Sequence, residues 1–126
     1  MTTLLGKAIA AYAASDLIGR PERRVLAKEL AEFDALSKRQ IASIVRLDPN
    51  ELVDAFEKTD SRGGRLNPET LEIIEQALTL PEGEAIALYY KAYQEGTSVD
   101  AIATLIGQSR DYVWNRIRKH KKGLET

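Results

Sequence analysis

The segment SVDAIATLIGQSRDYVWNRIRK (residues 98–119) decides the fold, because it encodes two short helices joined by a tight turn. Ile102, Leu105 and Ile106 recur at helical spacing, and Gly107 follows at the point where a left-handed residue would end the first helix. A helix, a glycine turn and a second helix in this order predict a helix-turn-helix.

Capping residues support the prediction of a helix-turn-helix. Thr97 is predicted as the N-cap of the first helix, with Asp100 completing a capping box. Ser109 is expected to cap the second helix, on which Val113 and Ile117 form the buried stripe.

The segment 37–58, SKRQIASIVRLDPNELVDAFEK, aligns with residues 98–119 at a constant offset of 61. The paired residues are Ser37 and Ser98, Ile41 and Ile102, Ala42 and Ala103, Ile44 and Leu105, Val45 and Ile106, Leu52 and Val113, Phe56 and Ile117, and Lys58 and Lys119. Upstream, residues 20–26 align with residues 80–86 through a shared Pro-Glu step. Any two amphipathic helices align to some degree, but these matches favour a duplicated unit in which Arg46 replaces the turn glycine.

Helical periodicity extends over the whole chain. Expected helices carry Leu4, Leu5, Ala8, Ile9, Tyr12 and Ala13; Val25, Leu26, Leu30 and Phe33 after Pro21; Ile41, Ala42, Ile44 and Val45 after Leu36 or Ser37; Leu52, Val53 and Phe56 after Asp48-Pro49; Leu71, Ile74 and Leu78 after Pro68; and Ala85, Ile86, Leu88 and Tyr89 after Pro81. We therefore predict an all-α protein, with two tandem helix-turn-helix units forming a compact helical bundle. The expected organisation is a divergent repeat over 1–60, a linker over 61–67 and a second repeat over 68–126.

Composition excludes several classes of function. The chain has 126 residues, no cysteine, one histidine and a formal net charge of −1, so neither disulfides nor a cysteine or multi-histidine metal site is expected. Nucleophile motifs, phosphate loops and paired carboxylates in an apolar setting are not visible, which predicts a protein that is not an enzyme and needs no cofactor. No apolar run is long enough for a membrane span, and Lys7 interrupts the apolar N-terminal stretch, so a cytoplasmic, nucleoid-associated location is expected.

Charge is distributed unevenly along the second half. Residues 65–109 contain two basic and seven acidic side chains, whereas residues 110–122 contain six basic and one acidic. This reversal predicts a surface with one basic face.

Residues 80–125 resemble region 4 of bacterial sigma factors. The matching positions are Leu80-Pro81-Glu82, Gly96, Ser98, Ile102-Ala103, Ile106-Gly107, Ser109, Val113, Lys121-Lys122 and Leu124. Ala101 departs from the family, which usually has Glu there, and Gln108 stands where an aliphatic residue is usual. The resemblance implies a sigma region 4-like helix-turn-helix that binds promoter-type DNA, without the other regions of a complete sigma factor.

In a helix-turn-helix the second helix enters the major groove of double-stranded DNA. The candidate base contacts are Arg110, Asp111, Trp114, Asn115 and Arg118; the candidate phosphate contacts are Ser109, Lys119, Lys121 and Lys122, with Lys38, Arg39, Arg62 and Arg65 from the first repeat and linker. Residues 62–65 are also a candidate arm for the minor groove. The competing interpretations are a solvated basic helix face, a Trp114 that serves packing, and a flexible soluble linker over 62–65. His120 is expected to be a bystander.

The second helix of the first repeat is acidic, with Asp48, Glu51, Asp54 and Glu57 at exposed positions. Such a surface is repelled by phosphate, so the first repeat is expected to have lost or reduced its reading of the groove.

The main hypothesis is therefore a sequence-specific, DNA-binding transcription regulator of bacterial or phage type that reads the major groove with helix 109–122. Its first repeat would mediate dimerisation with a second copy of the chain, add a weaker half-site contact to DNA, or bind RNA polymerase. The alternatives are a protein-interaction module that mimics a sigma domain and binds RNA polymerase or a sigma factor, and a DNA accessory factor for recombination or partition.

Overall fold

A computed structural model describes residues 3–33, 35–55 and 64–125. The α-helices are α1 (Leu4–Ser15), α2 (Arg20–Ala31), α3 (Lys38–Val45), α4 (Leu71–Leu78), α5 (Glu82–Gln94), α6 (Val99–Ile106) and α7 (Arg110–Glu125). Two 3-10 helices span Pro49–Ala55 and Pro68–Thr70. These ranges contain no strand, which confirms the all-α prediction, and no helix among them is long and apolar enough to cross a membrane.

Each of the four prolines lies at the start of a helical segment, as predicted, and Pro49 begins the first 3-10 helix. Pro21 lies in the first turn of α2, Pro68 begins the 3-10 helix that leads into α4, and Pro81 is the N-cap of α5. Proline suits these positions because the first backbone N–H groups of a helix have no partner within it, and its fixed φ is already helical.

The core runs through both halves of the chain. Helix α1 packs on α2 and α3, and it also contacts α4 and α6. The largest fully buried aliphatic side chains are Leu30, Ile41, Ile44, Val45, Leu52, Leu71, Ile74, Ile102, Val113 and Ile117. Because α1 contacts helices from both halves, it joins the two sets of buried residues into one core.

Some of the expected apolar stripes are covered only in part. In α1 the buried residues are Leu5, Ala8, Ala11 and Ser15, whereas Ala13 is exposed. In the second expected helix, Leu30 is buried but Val25 and Phe33 are 57% and 38% exposed. The predictions for Ala13, Val25 and Phe33 were wrong, whereas Leu4, Ile9, Tyr12 and Leu26 pack against the core as expected. Periodicity places apolar residues on a helix face, but the neighbouring helices decide how much of that face is covered.

Helices α3 and α6 have the same local structure, 61 residues apart. Their N-caps are Ser37 and Ser98, whose side chains accept hydrogen bonds from the backbone three residues on. Gln40 completes a capping box in α3, whereas Ala101 stands at the matching position of α6 and has no side chain that could do so. The N-cap prediction for Thr97 was wrong by one residue.

The buried hydroxyl of Thr97 lies in a small polar network. It accepts a hydrogen bond from the Asn67 backbone N–H at 3.0 Å and shares a second with the buried Thr70 hydroxyl. The side chain therefore links the loop before α6 to the segment that enters α4.

The similarity of the two halves ends after the turn. The segment after α6 forms the 16-residue helix α7, whereas the segment after α3 forms the 3-10 helix Pro49–Ala55, in which Leu52 has non-helical φ and ψ. Leu52 is buried as predicted, but the regular helix expected there is not formed. Phe56 and Lys58 of the alignment lie outside the described residues.

Candidate nucleic-acid interface

Helix α7 is held by one apolar side. Val113 and Ile117 are each 1% exposed, and the helix packs on α5 and α6. The Ser109 hydroxyl accepts a hydrogen bond from the Tyr112 backbone N–H at 3.1 Å, which caps the helix as predicted. Burial of this side leaves the opposite side of the helix toward solvent.

Four of the five predicted base-contact residues lie on that solvent side. Arg110, Asp111, Asn115 and Arg118 are exposed, and Trp114 is half-buried. The Arg118 guanidinium donates a long hydrogen bond of 3.5 Å to the Asn115 side-chain oxygen. The helix thus presents hydrogen-bonding groups of several kinds within its first three turns.

Arg110 pairs with a residue from another helix. Its Nε lies 2.9 Å from Oδ1 of Asp100, which is in the first turn of α6. Asp111, the neighbour of Arg110 in the chain and a predicted base contact, makes no ion pair or side-chain hydrogen bond with any described residue. The pairing of Arg110 with Asp100 was not predicted, because it depends on how α6 and α7 pack on either side of the turn.

Trp114 has a dual environment that fits both of its predicted roles. Its ring meets Tyr93 of α5 edge-to-face, with centroids 6.4 Å apart and an interplanar angle of 67°. The two rings border a cleft of about 260 Å³, whose other walls are Ile117, Arg118, Lys121 and Lys122. One part of the indole therefore packs against α5, and the rest borders a basic cleft.

Apart from Arg110 and Arg118, the basic residues of α7 divide into two groups. Lys119, Lys121 and Lys122 are exposed and form no ion pair with any other described residue. Arg116, in contrast, pairs with Glu82 at 2.7 Å and stacks over the Tyr112 ring at 3.6 Å from its centroid. His120 packs against Tyr90 with centroids 5.2 Å apart. The three lysines are thus available to phosphate, whereas Arg116 and His120 serve packing on α5.

The end of the predicted linker crosses the N-termini of α3 and α6. The carbonyl of Gly64 accepts a hydrogen bond from the Gln40 side chain at 3.2 Å, and the carbonyl of Arg65 accepts one from the Ser98 backbone at 2.7 Å. Gly64 has φ +69°, and any Cβ there would collide with the Ser98 side chain. We call residues 64–67 the strap.

The strap places basic residues from both parts of the chain in one cleft. Arg39 and Arg65 are exposed and line a cleft of about 370 Å³ together with Ser43. Lys38, the first residue of α3, is half-buried, and Arg62 lies outside the described residues. Among the predicted phosphate contacts of the first half, Arg39 and Arg65 are therefore brought together.

The acidic residues after α3 are partly neutralised. Glu51 lies 3.5 Å from Arg20 and 3.9 Å from Arg24, and only 21% of its side chain is exposed. Asp48 is exposed as expected, and its carboxylate accepts a hydrogen bond from the Asn50 backbone. The full exposure predicted for Glu51 was wrong, because α2 covers it; the Asp54 side chain and Glu57 are outside the described part.

No group of three or more histidine, cysteine, aspartate or glutamate side chains is arranged to hold a metal ion within the described ranges. No protein-family model matches the chain, and no curated protein or solved structure matches it either.

Proposed function

We propose that this protein is a sequence-specific, DNA-binding transcription regulator of bacterial or phage type, and that α7 with its cap Ser109 reads the major groove of double-stranded DNA. The observation that carries the proposal is the two-sided character of α7. Val113 and Ile117 anchor one side, while Arg110, Asn115 and the lysines Lys119, Lys121 and Lys122 occupy exposed positions. A major groove about 12 Å wide admits such a helix.

The residue types match the donor and acceptor pattern of the groove. Arg110 presents guanidinium donors that suit guanine O6 and N7, and Asn115 presents the amide pair that suits adenine. Asp111 can accept from cytosine N4, and the exposed edge of Trp114 suits a thymine methyl group. Arg118, hydrogen-bonded to Asn115, lies one turn further along the same face.

Phosphate contacts are proposed on both sides of the base-reading face. Lys119, Lys121 and Lys122 extend from the C-terminal half of α7, and Ser109 lies at its start. The Arg39–Arg65 cleft forms a second basic area, linked to α6 through the hydrogen bond from Ser98 to the strap. Because these contacts involve no base, they add affinity for every sequence and make it dependent on salt.

The proposal is tested by titrating the protein with labelled promoter-like and random duplexes at two salt concentrations. The fluorescence of Trp114, the only tryptophan, provides a second signal. Arg110→Ala and Asn115→Ala are each expected to cost roughly 1–3 kcal/mol on a preferred duplex and to relax sequence preference. Lys121→Ala is expected to weaken all duplexes alike.

Matched controls come from α4 and α5. Gln76→Ala removes an exposed amide, and Lys91→Ala removes an exposed lysine, and neither residue lines either basic cleft. Neither change should alter the affinity or the salt dependence. Equal losses for Asn115→Ala and Gln76→Ala would contradict the proposed surface.

A second candidate is a protein-interaction module that mimics a sigma domain. Leu17, Val25 and Phe33 are 84%, 57% and 38% exposed, and all three lie in the first half of the chain. A contact with RNA polymerase, a sigma factor or a second copy of the chain would bury part of this apolar surface. Sedimentation of the purified protein alone, with RNA polymerase and with a sigma factor shows which of these partners it binds. Val25→Asp should weaken that contact.

The transcription role is distinguished from a DNA accessory role in recombination or partition by a reporter experiment. A regulator changes transcription from a promoter that carries the selected site, and Asn115→Ala abolishes the change. An accessory factor binds the same site without altering the reporter.

A further inference from the structure

Asp100 occupies an unusual place for an acidic residue near a proposed DNA surface. It lies in the first turn of α6, its side chain is 44% exposed, and its carboxylate contacts Arg110 at the start of α7. In the proposed complex a free carboxylate there would face phosphates and weaken binding to every sequence. Its pairing with Arg110 suggests that the carboxylate has a role in DNA binding that outweighs this repulsion.

We propose that Asp100 is a positioning residue, which holds the Arg110 guanidinium in the orientation that reads guanine. This inference rests on the proposed function of α7. The contact is made through Nε of Arg110, at 2.9 Å from Oδ1 of Asp100, and 59% of the Arg110 side chain remains exposed. The terminal amino groups thus stay accessible for the two acceptors of guanine.

The physical basis of the proposal is preorganisation. A free arginine side chain loses much rotamer freedom when it forms a bidentate contact, and a group already held in place loses less. Arg110 is the first residue of α7, and its backbone is fixed by the helix while its long side chain is not. The Asp100 carboxylate on α6 limits the number of conformations open to the Arg110 side chain. The position of the guanidinium then depends on how α6 and α7 are placed relative to each other.

The experiment compares Asp100→Asn with the wild type on a preferred duplex, and on the same duplex with the Arg110-dependent guanine replaced by each other base. We expect the discrimination in favour of guanine to fall roughly three- to tenfold, as for partial loss of one bidentate contact. Affinity for random DNA should stay the same or rise, because a negative charge is removed. A parallel change on all duplexes would overturn the proposal, since Asp100 would then act only by repelling phosphate.

A double-mutant cycle makes the test specific to the pair. In an Arg110→Ala background, Asp100→Asn should have no further effect on guanine discrimination. The proposal is also overturned if Arg110→Ala removes the guanine preference while Asp100→Asn leaves it intact. A wild type without any base preference would instead refute the function of α7 itself, so the two failures are distinguishable.

Discussion

Arg46 and Gly107, which lie 61 residues apart, both end a helix in the left-handed backbone conformation, with φ of 57° and 72°. Gly107 reaches this region at little cost, whereas a residue with a Cβ is strained there by about 1 kcal/mol or more. Arg46 is held by its side chain: Nε donates to the buried Ser15 hydroxyl at 3.1 Å, and the guanidinium lies 4.5 Å from the centroid of the Tyr12 ring.

This relationship predicts an order of stability among variants of Arg46. Arg46→Ala keeps the backbone strain and loses both side-chain contacts, so unfolding should become easier by about 1–2 kcal/mol. Arg46→Gly loses the same contacts but relieves the strain, and it should be the more stable of the two by about 1 kcal/mol. Gly107→Ala should cost about 1 kcal/mol. Urea unfolding measures all three, and Arg46→Ala as stable as Arg46→Gly would contradict the assigned strain.

The buried network around Thr97 gives a second stability prediction. Thr97→Val retains the shape of the side chain but leaves the Asn67 N–H and the Thr70 hydroxyl without this partner, which should cost about 1–3 kcal/mol. Thr79→Val is the control, because its hydroxyl is exposed and bonds only to the preceding turn. If the two variants unfold at the same urea concentration, the network contributes nothing to stability.

The Arg39–Arg65 cleft predicts a change in salt dependence. Arg39→Ala and Arg65→Ala should each weaken binding to all duplexes alike and should lower the slope of log affinity against log salt by about 1. Lys28→Ala, which removes an exposed lysine of α2, should leave the slope unchanged. Titrations at four salt concentrations measure the slopes, and an unaltered slope in both cleft variants would restrict the phosphate contacts to α7.

Tyr89 predicts a pH dependence of stability. Burial raises the pKa of its hydroxyl above 10.0, Tyr112 adds to the rise, and Arg116 opposes it. The folded protein then binds this proton more tightly than the unfolded chain, so the contribution to stability is complete below about pH 10 and is lost as the pH rises further. The free energy of unfolding should fall less steeply above pH 10 in Tyr89→Phe than in the wild type. Parallel curves for both proteins would show that Tyr89 does not contribute.

The parts of the fold that were predicted correctly depend on local backbone chemistry. Pro21, Pro68 and Pro81 start helices, Ser109 caps α7, and Gly107 ends α6. Each of these residues acts within a few positions of itself, so a single sequence is enough to place them. The buried stripe of Val113 and Ile117 follows in the same way from helical periodicity.

The parts that were missed depend on contacts between distant segments. Thr97 is drawn into a network with Asn67, so Ser98 becomes the N-cap of α6. The Arg110 partner is Asp100 on another helix, and Glu51 is covered by arginines of α2. The side-chain anchors of Arg46 lie about thirty residues earlier in the chain. Such contacts can be predicted only when the packing of the helices against one another is known, and helical periodicity does not give that packing.

The central claim is that α7 reads base sequence. Selection from a pool of random duplexes tests it most directly, performed in parallel with the wild type and with an Arg110→Ala/Asn115→Ala double variant. We predict that the wild type enriches a short motif containing a guanine and an adenine, and that the double variant enriches none while it still binds DNA at low salt. Absence of any enriched motif with the wild type, or the same motif with both proteins, would contradict the claim.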